Sequence, residues 1–202
     1  MRYGESFFWG VLAAAGALVL QMFFSLLGEL FFSIETQRQF IDGLLTASPV
    51  FFVVAVVIEE ILKYAFILQR AHRLQCFGRA IMIHALFIGS GFATLELVFL
   101  LFRENTLSAI FSTDALGIFL LHILTAGIIG FVCMHMQSPI TKFVRAIFIV
   151  SLIHVFYNIL TLSLLTTPLR SPVFILGIFT IVVLLLSVIF SPIERPPRGD
   201  LA

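Results

Sequence analysis

Residues 44–68, with the sequence LLTASPVFFVVAVVIEEILKYAFIL, are apolar enough to cross a bilayer, yet they carry Glu59, Glu60 and Lys63 well inside the run. An ionisable side chain at membrane depth costs roughly 2.5 to 3.5 kcal/mol on insertion scales, so three within five residues are too many for a lipid-facing surface. We expect these side chains to face a protein interior that holds water or substrate.

The composition of the 202-residue chain is that of an integral membrane protein. Hydrophobic residues make up 60% and charged residues 11% of the sequence, and the mean hydropathy is +1.13. The formal net charge is +1 and the basic residues are scattered rather than clustered, so we do not expect nucleic acid as a partner. Cys76 and Cys133 lie far apart in the sequence and indicate no disulfide framework.

Six long apolar runs predict six transmembrane helices, because a helix needs about 20 residues to cross the hydrocarbon. The predicted spans are 7–28, 44–68, 80–102, 115–136, 143–166 and 172–191. Runs of this length lack the alternation of a membrane barrel, so the predicted fold is an all-α bundle. We expect a single membrane domain over 1–191, with its core at 44–166, and a polar, proline-rich tail at 192–202.

The basic residues outside the spans predict the orientation of the chain. Leaving out the intramembrane Lys63, eight lie on the side of the two termini and three on the other side. The eight are Arg2, Arg70, Arg73, Arg79, Lys142, Arg145, Arg195 and Arg198, and the three are Arg38, Arg103 and Arg170. By the positive-inside rule, we expect both termini to lie in the cytoplasm.

Four consecutive spans carry polar residues that a bilayer would reject unless they faced one another. They are Glu59, Glu60 and Lys63 in the second span, Glu96 in the third, His122 in the fourth, and His154 with Asn158 in the fifth. The first and sixth spans hold no comparable group, which predicts a four-helix functional core with two flanking helices. Because residues four apart share a helix face, helical spacing pairs Glu59 with Lys63.

This set of side chains suits the hydrolysis of a peptide bond, which needs a water, a base and donors for the oxyanion. Glutamate and histidine can serve as the base, and histidine and asparagine as the donors. A His-Glu-x-x-His zinc helix is missing, and the aspartates lie outside the spans. Ser90 with His154 as its base would be a serine protease arrangement, but Ile88 stands where a rhomboid-like motif has glycine.

In their order, the motifs resemble those of the PrsW intramembrane proteases. The matching motifs are Glu59-Glu60-x-x-Lys63, Phe92-x-x-x-Glu96, a single His122 and His154-x-x-x-Asn158, within about residues 50–160. The CAAX prenyl endopeptidases and CPBP proteins are similar, but Lys63 and Glu96 favour the PrsW branch. The resemblance implies an endopeptidase in a bacterial or archaeal cell membrane that cleaves single-pass membrane proteins such as anti-sigma factors. It is described as glutamic or as a metalloprotease.

The resemblance also implies roles for individual residues. The candidate catalytic residues are Glu59, Glu60, Glu96, His122, His154 and Asn158, with Lys63 and Phe92 in support. The family favours the first glutamate, Glu59, as the group that activates water, whereas helical spacing pairs Glu59 with Lys63, so the choice of base stays open. His122, His154 and Glu96 are the candidate ligands of a divalent metal such as zinc, although the residues alone establish no cofactor. Leu97 stands where many members have asparagine.

Two other functions stay open at this point. Buried glutamate, histidine and lysine also form proton relays, which would make the chain a proton-coupled transporter or channel. Such proteins often contain inverted repeats, and none is evident in the sequence. A non-catalytic membrane scaffold with the same polar core is the third reading, and it predicts binding without cleavage. The residues carry no signal for an oligomeric state.

Overall fold

The computed structural model describes residues 2–31, 49–75, 78–105, 112–135, 139–163 and 177. These residues form five α-helices and no strand, so the predicted all-α fold is confirmed for them. In chain order, the helices are α1 (Arg2–Phe31), α2 (Pro49–Leu74), α3 (Arg79–Glu104), α4 (Thr113–His135) and α5 (Pro139–Ser163). They overlap the first five predicted spans. The sixth predicted span and the tail lie outside the described residues, apart from Gly177.

Three of the helices are long and apolar enough to cross a membrane. The apolar stretches are Tyr3–Leu27 in α1, Arg79–Phe102 in α3 and Ala115–Met134 in α4. The apolar part of α5, Phe143–Ile159, is shorter. In α2, the acidic pair and Lys63 interrupt the apolar sequence. Helices of this length and composition are those of an integral membrane protein.

Local sequence explains where several helices begin and end. Pro49 and Pro139 stand at the first positions of α2 and α5, where the missing N–H of proline is not needed for a helical hydrogen bond. Gly78 precedes α3 with φ of 55°, a conformation that glycine adopts without strain. Asn105 ends α3 in the left-handed region, and its N–H donates to the carbonyl of Leu101 at 2.9 Å.

The central helix is α2, which packs against each of the other four. The most extensive contacts are those of α3, with α4 and with α1, and α5 packs on α4 and α2. The helix that carries the acidic pair is therefore surrounded by other helices. This arrangement explains how α2 can hold three charged side chains within an apolar bundle.

The backbones of α1 and α3 come into close contact at two glycines. A Cβ atom at Gly10 would collide with the backbone carbonyl of Ile88, and one at Gly91 would collide with that of Phe7. Small residues at such a crossing let helices approach closely in lipid, where packing rather than hydrophobicity drives association. The close crossing makes α1 an integral part of the bundle.

A buried polar cluster near the start of α1 joins it to α2 and α3. The hydroxyl of Ser6 accepts a hydrogen bond from Arg70 Nε at 3.1 Å and is hydrogen-bonded to His84 Nδ1 at 2.8 Å. Arg70 also pairs with Glu5, with 2.5 Å between Nη2 and Oε2. Ser6, Arg70 and His84 are buried. We assign these three side chains to the packing of the bundle.

The close crossing predicts that Gly10→Ala and Gly91→Ala each lower the free energy of unfolding by about 1–3 kcal/mol, because the added methyl group forces two backbones apart. Gly16→Ala is the matched control. A Cβ atom at Gly16 meets only Leu62 Cδ1 at 3.5 Å, so this change should be neutral, or stabilising by up to about 1 kcal/mol through helix propensity. Thermal and denaturant unfolding in detergent micelles measure the three effects, and equal losses would contradict the crossing.

Candidate functional site

Glu60 and Lys63 of α2 lie in one buried network with His122 and His154. Glu60 and Lys63 are both 0% exposed, and Lys63 Nζ donates to Glu60 Oε1 at 2.6 Å. The same ammonium group donates to His122 Nδ1 and to Thr125 Oγ1, each at 2.9 Å. A lysine side chain has three N–H donors, so every donor of this buried cation has an acceptor.

The observed pairing corrects the prediction from helical spacing. Lys63 pairs with Glu60, three residues before it, and not with Glu59, four residues before it. Both spacings bring side chains together on a helix, so the surroundings decide between them. The polar groups of α4 and α5 face Glu60, whereas Glu59 is turned by about 100° around the helix axis, toward α1. The charge of Lys63 therefore compensates Glu60 and leaves Glu59 for another role.

The pair holds the two histidines in opposite tautomers. His154 Nδ1 lies 2.6 Å from Glu60 Oε1, and an ionised carboxylate only accepts, so Nδ1 carries the proton of a neutral His154. His122 is the reverse, because Lys63 only donates and Nδ1 of His122 must accept. The proton of His122 is then on Nε2, which donates to Glu96 Oε2 at 2.5 Å. The two imidazole rings meet edge to face, with centroids 5.2 Å apart.

A side chain of α1 completes the surroundings of Glu59. Gln21 Nε2 donates to Glu59 Oε1 at 2.8 Å and to the carbonyl of Ala55 at 3.3 Å. Glu59 Oε2 has no hydrogen-bond partner within the described part of the chain and lies 3.7 Å from His154 Nε2. The predicted four-helix core is therefore not confirmed, because the first span, which was expected only to flank the core, supplies this contact to Glu59. The sequence held one signal for this contact. Gln21 is a side-chain amide in an apolar helix, and such amides tend to bond to neighbouring helices.

Of two other predicted residues, Phe92 contacts this network through its ring, and Asn158 makes a backbone contact elsewhere. The ring of Phe92 is buried and lies 4.8 Å from the His122 ring centroid and 4.8 Å from Lys63 Nζ, so it covers both groups. Asn158 contributes a backbone contact, because its carbonyl accepts from Thr161 Oγ1 at 3.1 Å. The described hydrogen bonds do not join the Asn158 amide to the network.

The structure gives no support to a serine mechanism. Ser90 Oγ donates to the carbonyl of Leu86 at 2.9 Å, which is a bond within the same helix. His154 is instead bonded to Glu60. Ser90 and His154 therefore have separate partners.

A cavity of about 380 Å³ lies beside the network, between α1, α2, α3 and α4. Glu59, Glu96 and Gln21 line it, and most of its other lining is apolar. The side-chain exposure of the three acids rises from 0% for Glu60 to 14% for Glu59 and 30% for Glu96. The two outer acids therefore reach the cavity, and Glu60 belongs to the buried interior.

Glu59, His122 and His154 form a candidate metal site. One donor atom of each lies within 4.8 Å of the other two. Two ligands of a tetrahedral zinc ion, bound at about 2.0–2.1 Å, are roughly 3.4 Å apart, close to the 3.7 Å between Glu59 Oε2 and His154 Nε2. Two imidazole nitrogens and a carboxylate oxygen are a known ligand set of catalytic zinc, so the residues fit the ion. Binding through His122 would replace its contact with Glu96 or with Lys63. The sequence-based ligand set had Glu96, whereas the three donor atoms that lie within 4.8 Å of one another belong to Glu59, His122 and His154.

Comparison with known families identifies the chain. Residues 4–188 match the family model that describes the PrsW family intramembrane metalloproteases. The chain belongs to the PrsW family. This match confirms the resemblance and extends it beyond the motif-bearing residues 50–160. No curated protein and no solved structure gives a significant match. The PrsW-family chain is therefore a membrane protease, with the polar network and cavity as its candidate site.

Removal of either partner of the buried pair is expected to destabilise this PrsW protein by about 3–5 kcal/mol, because the other is left as an uncompensated buried charge. The variants are Lys63→Met and Glu60→Gln. The double variant should lose less stability than the sum of the two single variants. Glu59→Gln is the matched control, and its coupling to Lys63→Met should be clearly smaller. Unfolding in detergent measures the cycle, and equal coupling for both glutamates would refute the assigned pairing.

Proposed function

We propose that the protein hydrolyses peptide bonds of single-pass membrane proteins at the cavity beside Glu59 and Glu96. The observation that carries the proposal is the position of two carboxylates at this cavity, each next to a buried histidine. Carboxylate and imidazole groups at one concave site are the means of general acid–base chemistry. Membership of a protease family favours this function over the transporter and the scaffold. The assignment of anti-sigma factors as substrates is based on the resemblance alone.

In this proposal, Glu96 is the group that transfers protons. It is the most exposed of the three acids, and its Oε2 is held by His122 Nε2 at 2.5 Å. The remaining oxygen can accept a proton from a water in the cavity and pass it to the leaving amine of the substrate. A metal bound through His122 Nε2 would replace this hydrogen bond, so the role of Glu96 rests on its position at the cavity beside the ligands.

Glu59, His122 and His154 are the residues that would hold a divalent metal, which the family description implies. When bound, zinc supplies a Lewis acid that polarises a carbonyl oxygen and favours ionisation of water. The buried pair of Glu60 and Lys63 holds the two histidines, since Glu60 is hydrogen-bonded to His154 and Lys63 to His122. Such outer contacts orient imidazole ligands and fix their tautomers.

The hydrogen bonds of the site favour a metal-dependent mechanism over a purely glutamic one. The N–H donors of Lys63, His122, His154 and Gln21 are already directed at acceptors within the protein. A substrate oxyanion would have to compete with those acceptors for a donor. The glutamic alternative assigns water activation to Glu59, as the resemblance implies, with a histidine and Asn158 as oxyanion donors. The unpartnered Oε2 of Glu59 is the observation in its favour.

Glu96→Gln is expected to lower kcat about 100- to 10,000-fold while the bound zinc per protein stays unchanged, because the proton acceptor is lost and the ligands remain. Glu59→Gln and His154→Ala should lose zinc together with activity. The measurements are cleavage of a membrane-anchored reporter in proteoliposomes and elemental analysis of the same samples. Glu5→Gln, at a carboxylate that is 60% exposed and outside the site, is the matched control.

Three outcomes would count against this division of roles. Wild-type activity in Glu96→Gln would exclude Glu96 as the proton acceptor. Full activity in chelated wild-type protein, with activity lost in Glu59→Gln, would establish the glutamic alternative. Cleavage by all of the variants at the wild-type rate would place the reaction elsewhere in the molecule.

The proposed topology is one membrane domain of six spans with both termini in the cytoplasm. It is supported by the distribution of the basic residues and by the three apolar helices α1, α3 and α4. A green fluorescent protein fused after Ala202 should fluoresce in bacterial cells, and alkaline phosphatase fused at the same place should be inactive. The opposite pair of results would reverse the orientation.

A further inference from the structure

The cavity has an apolar wall to which the proposed chemistry assigns no role. Ala14, Ala17 and Leu18 of α1 form one side of this wall, and Leu95 and Phe99 of α3 belong to the other. Ala14 and Ala17 are 5% and 2% exposed, so the two positions are enclosed by the bundle. Both alanines line the cavity with small methyl side chains.

The register of α1 places this wall next to the reacting groups. Ala14, Ala17 and Gln21 follow one another at spacings of three and four residues, so they lie along one stripe of the helix. Gln21 holds Glu59, and the alanines continue the stripe away from it. With a rise of about 1.5 Å per residue, the alanines lie roughly 6 and 10 Å from Gln21 along the helix axis. An extended peptide covers that distance in about two to three residues.

The size and chemistry of the space indicate what it accepts. Its volume of about 380 Å³ is near the lower end of the range for small-ligand pockets, roughly 300–1,000 Å³. Its acids and its amide lie at the end where the network is, and the alanine side is apolar. A large apolar side chain fits such a space, because it buries its surface without leaving a polar group unpaired. The membrane segment of a single-pass protein is rich in side chains of this kind.

We propose that Ala14 and Ala17, with Leu18, Leu95 and Phe99, form a specificity pocket for one large aliphatic or aromatic side chain of the substrate. The side chain belongs to a residue within about three positions of the scissile bond, given the extended rise of about 3.3 Å per residue. This inference rests on the proposed function, since it names the substrate feature that the same site recognises. The first helix then contributes selectivity as well as the contact to Glu59.

The test uses a series of single-pass reporters that differ only in having Ala, Leu or Phe at each of three positions on either side of the cleaved bond. At one of these positions, the wild-type protein should cleave the Leu or Phe reporter with kcat/KM at least about 10-fold above that of the Ala reporter, as is usual for an apolar pocket. Ala17→Leu fills the pocket and should bring this ratio of kcat/KM values close to one. The loss in kcat/KM should be much larger for the Leu and Phe reporters than for the Ala reporter.

Ala15→Leu is the matched control, because Ala15 lies on the same helix and does not line the cavity. Its ratio should equal that of the wild type. Phe99→Ala enlarges the pocket and should extend cleavage to a reporter with Trp at the same position. The Phe99 side chain is 43% exposed, so its truncation keeps the test decisive even if Ala17→Leu fails to fold.

The outcomes separate the pocket from the proposed function. A wild-type protein that cleaves the reporters without preference, or variants that lower all rates by the same factor, would overturn the pocket and leave the protease site in place. A wild-type protein that cleaves none of the reporters would overturn the proposed function, and the pocket with it.

Discussion

The buried pair of Glu60 and Lys63 is the interaction on which the rest of the site depends. Two charges removed from water need further hydrogen bonds, and here His154, His122 and Thr125 supply them. Of the Glu60 carboxylate, Oε1 makes the bonds to Lys63 and His154, and Oε2 has no partner within the described residues. These partners come from α4 and α5, so the pair joins three helices inside the bundle. Because a carboxylate only accepts and an ammonium only donates, the pair also decides which nitrogen of each histidine carries the proton.

The two adjacent glutamates of α2 consequently have different surroundings. Consecutive residues on a helix are about 100° apart, so Glu60 faces the centre of the bundle while Glu59 faces α1 and the cavity. Glu59 is held by Gln21, and Glu96 is held by His122, which leaves two fixed carboxylates beside one cavity. In the proposed mechanism, the inner acid keeps the histidines in place and the outer two meet metal, water and substrate.

Much of the site could be predicted from the sequence, because a bilayer makes every buried polar residue conspicuous. The positions of Glu60, Glu96 and the two histidines in one network follow that expectation. The partner of Lys63 could not be predicted, since positions three and four residues away are equally accessible on a helix. Gln21 has no motif around it, and a cavity beside small alanines depends on how helices pack, which hydropathy does not encode. For these reasons, the contribution of α1 became visible only in three dimensions.

The opposite tautomers of His122 and His154 test the role of the buried pair most directly. Nitrogen-15 NMR of histidine-labelled protein, treated with chelator and assigned through His122→Gln and His154→Gln variants, identifies the protonated nitrogen of each ring. His122 should carry its proton on Nε2 and His154 on Nδ1. Because Glu96 also accepts from His122 Nε2, the effect of Lys63 is measured in a Glu96→Leu background, where Lys63→Met should remove the preference of His122 alone. Identical tautomers for the two histidines, or a His122 signal that does not respond to Lys63→Met in that background, would contradict the claim that this pair organises the site.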